Sequence, residues 1–217
     1  AADVAGEEVQ SPHFGSGPAY WDTHYAKDVH PFDWYERYDD VRLLVEEATG
    51  GDRGSRILHV GCGSSRLPEE MYDEGYRSIV NIDTSSVVIE RMLGRNRANR
   101  PGLEWAVMDA AGTDFPDGAF DVVIDKGMFD TFWCSPPGEA AARVAAYLRE
   151  VGRVLRKGGG FLCVSFARPA FWRQAQAEAG LRLGVREVVL PEQGGQGANY
   201  AYVAGPAAAP HASALAR

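Results

Sequence analysis

Three acids in this chain stand directly behind short apolar runs, where a strand would end. Asp83 follows SIVNI, Asp109 follows LEWAVM and Asp125 follows FDVVI, and behind Asp125 come Lys126, Gly127 and Asp130. A carboxylate accepts two hydrogen bonds from a diol, which suits Asp83 to ribose hydroxyls. It lies roughly 20 residues after the turn Gly61-Cys62-Gly63, the spacing at which nucleotide-binding α/β folds keep such an acid. The run Asp83-Thr84-Ser85 could equally cap a helix, and the two uses are compatible. Asp109, with the Ala110 N–H behind it, could read the rim of a purine base or open an ordinary turn. Asp125 and Asp130 flank Lys126 and are candidates to place an amine or take its proton. The alternative is the solvated end of a core strand.

These residues need a frame that brings strand ends together. Apolar runs at 56–60, 78–82, 103–108, 120–124, 161–166, 184–190 and 199–204 read as strands, with helical patterns at 39–49, 66–74, 85–98, 138–156 and 169–179. Near-continuous apolar strands alternating with helices predict a parallel sheet covered on both faces. Only the loop PEQGGQGA separates the last two strands, too short for a crossover helix, so they should pair antiparallel. The expected architecture is a Rossmann-like, seven-stranded, mostly parallel sheet with a C-terminal antiparallel hairpin. In such sheets ligands bind at the C-terminal strand ends, where Asp83, Asp109 and Asp125 all fall. Gly61 and Gly63 let the backbone turn sharply and approach a ligand, while the next helix offers free N–H groups. No third glycine follows, Ser65 standing in that stretch, so a nucleoside without pyrophosphate fits better than a dinucleotide.

Together these sites outline a pocket for S-adenosylmethionine. The series YWDTHY, PFDWY, VGCGSSRLPEEMYDEGY, NIDTSSVVIERM, RPGLEWAVMDA and FDVVIDKGMFD, in that order, resembles the class I seven-strand methyltransferases. More narrowly it is similar to the lysine methyltransferases that act on translation elongation factor one alpha, over about residues 19–204. The resemblance implies cofactor contacts from Trp21, Tyr25, Trp34, Gly61, Asp83, Thr84, Asp109, Ala110 and Lys126. It also implies that Asp125 to Asp130 is needed for activity, and that the acceptor is a protein. Met128-Phe129 stands where that group usually has Thr-Leu, and Thr131-Phe132-Trp133 is bulkier than its usual Ala-Leu. His59 occupies a position where many class I enzymes carry an acid. Trp21 and Tyr25 lie one helical turn apart, so both could face a sulfonium, which aromatic faces stabilise by ~0.5–2 kcal/mol. The same aromatic segment, about 18–50, could instead be a helix packed on the sheet edge. A second cation beside a sulfonium is repelled, so the Lys126 ammonium is expected to meet a cofactor carboxylate or Asp130.

Composition bounds the remainder. The chain has 217 residues, 30 acidic and 22 basic, a net charge of −8 that argues against nucleic acid as acceptor. Three scattered cysteines, Cys62, Cys134 and Cys163, support neither a disulfide framework nor a metal site. No apolar run approaches the ~18 residues of a membrane span. The start AADVAGEEVQ has neither basic nor apolar signal-peptide regions, and without an initiator Met the native N-terminus stays open, a mitochondrial leader included. A cytoplasmic monomer or weak dimer is expected, with 1–17 and the Ala/Pro stretch 205–217 disordered. The small-molecule methyltransferase and the catalytically silent cofactor-binding module remain alternatives.

Overall fold

A computed structural model describes residues 17–133, 139–191 and 197–206. Cys134, most of the tails expected to be disordered and part of the Gly-rich loop before the last strand lie outside the described residues. In chain order the elements are α1 (Pro18–Lys27), α2 (Tyr38–Thr49), β1 (Arg56–Val60), α3 (Leu67–Asp73), β2 (Ser78–Asp83), α4 (Ser86–Asn96) and β3 (Leu103–Val107). Then follow β4 (Phe120–Lys126), α5 (Met128–Trp133), α6 (Glu139–Val154), β5 (Leu155–Ser165), α7 (Pro169–Ala179), β6 (Arg186–Val189) and β7 (Tyr200–Ala204). They build one seven-stranded sheet of order β3-β2-β1-β4-β5-β7-β6. β1 to β5 run parallel, while β7 pairs antiparallel with both β5 and β6, as the short last loop requires. Among the described residues no helix is long and apolar enough to cross a membrane.

Neighbouring residues on a strand point to opposite faces, so apolar runs give the sheet two cores. Ile57, Ile79, Val122, Ile124 and Leu162 pack with Val41 and Val45 of α2 and Leu67 and Met71 of α3. Leu58, Val80, Val123 and Phe161 pack on the other face with Tyr147, Leu148 and Val151 of α6 and Trp172 of α7. Each such aliphatic side chain contributes ~1.5–3 kcal/mol by leaving water.

The largest boundary difference from the sequence reading falls where α6 meets β5. The helical pattern expected to run to 156 ends at Val154, and β5 begins at Leu155 rather than 161. The cause is Gly158-Gly159-Gly160, which carries the strand under α2: a Cβ at Gly160 would lie 1.7 Å from the Ala48 carbonyl oxygen. The six-residue α5 has no counterpart among the expected helices, because it is too short to show a helical period.

Candidate active site

β1 supplies the first wall. Its last residue runs into Gly61-Cys62-Gly63, and the Cys62 N–H donates to the Ile82 carbonyl at 3.0 Å, locking the turn onto β2. Gly63 sits at φ +50, and a Cβ there would fall 2.7 Å from the Tyr25 hydroxyl oxygen. The position therefore needs glycine both for its left-handed backbone and for the aromatic that packs over it.

β2 ends in Asp83, only 8% exposed. Its Oδ2 accepts the Gly63 N–H at 3.0 Å and its Oδ1 accepts the Ser85 N–H at 2.9 Å. Burial pushes this carboxyl up, and the N–H donors work against that rise. Each oxygen keeps a second lone pair, so the group can still receive a diol. Ser85 meanwhile caps α4, accepting the Val88 N–H at 3.3 Å. The helix cap at Ser85 and the cleft-lining carboxylate of Asp83 thus stand two residues apart. One strand over, Asp109 is half exposed, with Oδ1 on the Ala111 N–H at 2.9 Å and Oδ2 on Arg143 at 3.1 Å. Ala110 beside it is buried.

α1 forms the roof. Trp21 and Tyr25 stack with centroids 5.9 Å apart, as their spacing predicts. Asp22 ties the helix down, accepting the Ser85 hydroxyl at 2.7 Å. α1 packs on α4 rather than on the sheet edge, and the same helix lines the cleft with Trp21 and Tyr25.

The end of β4 is arranged differently from the sequence expectation. Asp125 is fully buried. Its Oδ1 accepts the Met128 N–H at 2.9 Å, and its Oδ2 accepts the Phe129 N–H at 3.0 Å and the Tyr147 hydroxyl at 2.6 Å. Burial pushes its carboxyl up to about 7. It props the start of α5 and is not among the residues lining the cleft. The Lys126 ammonium is paired with an acid from the N-terminal segment rather than with Asp130. Its Nζ lies 3.0 Å from Asp33 and donates to the Trp34 carbonyl at 3.0 Å. Burial pulls the ammonium down, and Asp33 opposes that fall. Asp130 does line the cleft; its Oδ2 accepts the Tyr35 hydroxyl at 2.8 Å and its Oδ1 the Ser165 hydroxyl. Burial pushes this carboxyl up to about 6.

Trp21, Tyr25, Trp34, Gly61, Gly63, Asp83, Thr84, Asp109, Ala110, Lys126 and Asp130 all line one cleft of about 390 Å³ at the C-terminal edge of the sheet. Its volume is in the range of small-molecule sites. Buried His59 lines it too, its Nδ1 3.1 Å from the Asn81 amide oxygen, and burial pulls its pKa down to about 4. The residues fit S-adenosylmethionine: an oriented carboxylate for a diol, an aromatic roof for a cation, and a backbone turn close to the cleft. Sequence reasoning missed Phe166, which lines the cleft, and Asp33, Ser165 and Tyr147, which hold Lys126, Asp130 and Asp125 from behind. Only PFDWY hinted at Asp33, as an acid set among aromatics.

Residues 58–163 match the family described as methyltransferase domain. The chain is 38% identical over 166 residues to the bovine "eEF1A lysine and N-terminal methyltransferase", covering 76% of this chain and 23% of that protein. It is 36% identical over 160 residues to the mouse "EEF1A lysine methyltransferase 4", covering 70% of this chain and 62% of the relative. The chain therefore spans less than a quarter of the length of the bovine relative. Two solved structures share the fold. A Leishmania major S-adenosylmethionine-dependent methyltransferase superposes with TM-score 0.65 at 14% identity, over 88% of this chain and 82% of that one. A Burkholderia thailandensis 1,6-didemethyltoxoflavin-N1-methyltransferase, solved with S-adenosylhomocysteine, gives TM-score 0.63 at 14% identity, over 94% and 91%. Sheet order, cleft and sequence similarity agree: this chain carries a methyltransferase domain of the S-adenosylmethionine-dependent class I fold.

Proposed function

We propose that the domain transfers the methyl group of S-adenosylmethionine to a lysine amine of a protein, with translation elongation factor one alpha as the expected acceptor. One juxtaposition carries this reading: Asp83 and Asp130 line the same cleft, where the Tyr35 hydroxyl and the Phe166 N–H donate to Asp130 and the rings of Trp34 and Phe32 continue from Tyr35. Phe32 and Phe166 are about half exposed, an aromatic mouth suited to the aliphatic stem of a lysine. The names of the curated relatives support the same class of acceptor, an amine on a protein.

When bound, the cofactor supplies a methyl group on a positively charged sulfur, open to in-line attack by an amine. The chain's residues would do the remainder. Asp83 holds the ribose hydroxyls, Thr84 and Ala110 close the nucleoside side, and Trp21 and Tyr25 cover it. Trp34, Tyr35 and Phe166 exclude water from the acceptor side, which strengthens every charge interaction there. A lysine side chain, with a free-solution pKa of ~10.4, arrives protonated and must lose that proton before it can attack. In this reading Asp130, its carboxyl raised to about 6 by burial, receives the ammonium and draws off the proton. Asp125 acts through α5, which carries Asp130, and is a positioning residue. The same reading has the domain work on a protein surface as a cytoplasmic monomer or weak dimer.

Incubating the protein with a cell lysate and tritiated-methyl S-adenosylmethionine tests the assignment. Label in a protein band, mapped by mass spectrometry to a lysine, is the expected result. Label confined to small molecules, to a protein's N-terminal amine, or to nothing at all would each replace it with a different function.

A further inference from the structure

The stretches Asp33-Trp34-Tyr35 and Lys126 to Asp130 are 92 to 95 residues apart in the chain, yet they interlock. The Lys126 Nζ pairs with Asp33 at 3.0 Å and donates to the Trp34 carbonyl at 3.0 Å. Asp33 also accepts the Ser65 hydroxyl and the Arg66 N–H, so it bridges β4 to the loop after β1. Gly127 has φ +90, and a Cβ there would stand 3.2 Å from the Tyr35 ring and 3.3 Å from the Trp34 Cβ. The Tyr35 hydroxyl reaches Asp130. Lys126, Gly127 and Asp130 thus grip three consecutive residues of the N-terminal segment.

Two features say this grip has a purpose beyond stability. Tyr35 sits at φ +63, in the left-handed region that an aromatic residue occupies only when its surroundings impose it. The Lys126 side chain is 1% exposed and that of Asp33 is 15% exposed, and a buried ion pair adds little to stability compared with apolar residues of the same size. A pair kept at such cost to desolvation is suited to fixing one arrangement.

We infer that Asp33 is a positioning residue. By pairing with Lys126 it turns that cation away from the reacting groups and sets Trp34 and Tyr35 against the cleft. The DKGMFD stretch is then a docking strip for PFDWY, and its lysine takes no part in proton transfer. The consequence for turnover rests on the proposed methyl transfer, whereas the latch does not.

Hydrogen exchange over residues 28–37, read beside calorimetry with S-adenosylhomocysteine, tests it on Asp33→Asn, Lys126→Met, the double variant and Tyr35→Phe. Either single variant should exchange about 10-fold faster in that segment with β1 and β4 unchanged, because only a local opening becomes easier. S-adenosylhomocysteine should bind more weakly in step. The double variant should exchange no faster than a single one and should regain the thermal midpoint the singles lose, since no lone charge stays buried. Tyr35→Phe should reproduce part of the exchange gain. Unchanged protection in the folded single variants, or losses that add in the double variant, would overturn the inference. If the single variants fail to fold, the double variant decides, and protection retained there sinks it. A wild-type protein with the latch pattern that binds no S-adenosylhomocysteine supports the latch and removes the proposed function instead.

Discussion

The two halves of the cleft are built by different means. On the β1–β2–β3 side, Asp83 is oriented by backbone N–H groups of Gly63 and Ser85, on a turn that is itself hydrogen-bonded to β2. On the β4 side, Asp125, Lys126 and Asp130 are oriented by Tyr147, Asp33, Tyr35 and Ser165, side chains brought from distant parts of the chain. The first half depends on backbone geometry, which few substitutions can alter. The second adds to its backbone contacts four that depend on side-chain identity at both ends, so it is the side more open to change by substitution. The departures at Met128, Phe129 and Thr131 to Trp133 all fall in α5, on the second side.

The sharpest way to break this contrast is Asp83→Ala. It should weaken S-adenosylhomocysteine binding by at least about 100-fold in calorimetry, because two backbone donors and a diol lose their shared acceptor. Asp125→Ala should instead spare most of the binding and lower turnover. It should also lower the unfolding free energy by about 3 kcal/mol, since buried donors left unpaired cost ~1–3 kcal/mol each. Equal loss of cofactor affinity in both variants would erase the division between the halves.

A pH series sharpens it further. Asp125 has its folded carboxyl raised to about 7 by burial, above its ordinary value of 3.8, so between those pH values the folded state binds more protons than the unfolded one. Its contribution is therefore favourable at low pH and is lost as pH rises toward 7. Denaturant unfolding from pH 4 to 8 should show wild-type stability falling relative to Asp125→Asn by up to about 1 kcal/mol per unit. A parallel pair of curves would mean that Asp125 is not the buried acid described. The smallest effect belongs to Gly63→Ala, strained at φ +50 and pressing on Tyr25. It should cost about 1 kcal/mol of stability, with a modest loss of cofactor affinity and the acceptor side intact.

Much of the frame was legible before any coordinates. Runs such as RILHV and FDVVI and the short loop before β7 are local signals, and they specify the parallel sheet and its closing hairpin. Asp83 was legible for the same reason, as an acid at a strand end at a set distance from a glycine turn. Asp33 was not, because residues 28–37 form neither helix nor strand and leave no period to read. The Asp33 partner of Lys126 was hidden for a related reason: the expectation offered a cofactor carboxylate or the nearby Asp130, and no local pattern links Lys126 to an acid 93 positions away.

What the sequence determined by itself was a mostly parallel sheet closed by an antiparallel hairpin, and the strand ends at which Asp83, Asp109 and Asp125 fall. These follow from apolar period, loop length and turn chemistry, all of which act over a few residues. Only the tertiary structure decided what DKGMFD does. Asp125 and Lys126 are neighbours on one strand and so point to opposite faces of the sheet. One face delivers the acid to Tyr147 on α6, and the other delivers the lysine to Asp33 in the N-terminal segment. Two adjacent charges that read as one motif therefore serve two separate layers, because a strand's pleat separates what the sequence sets side by side.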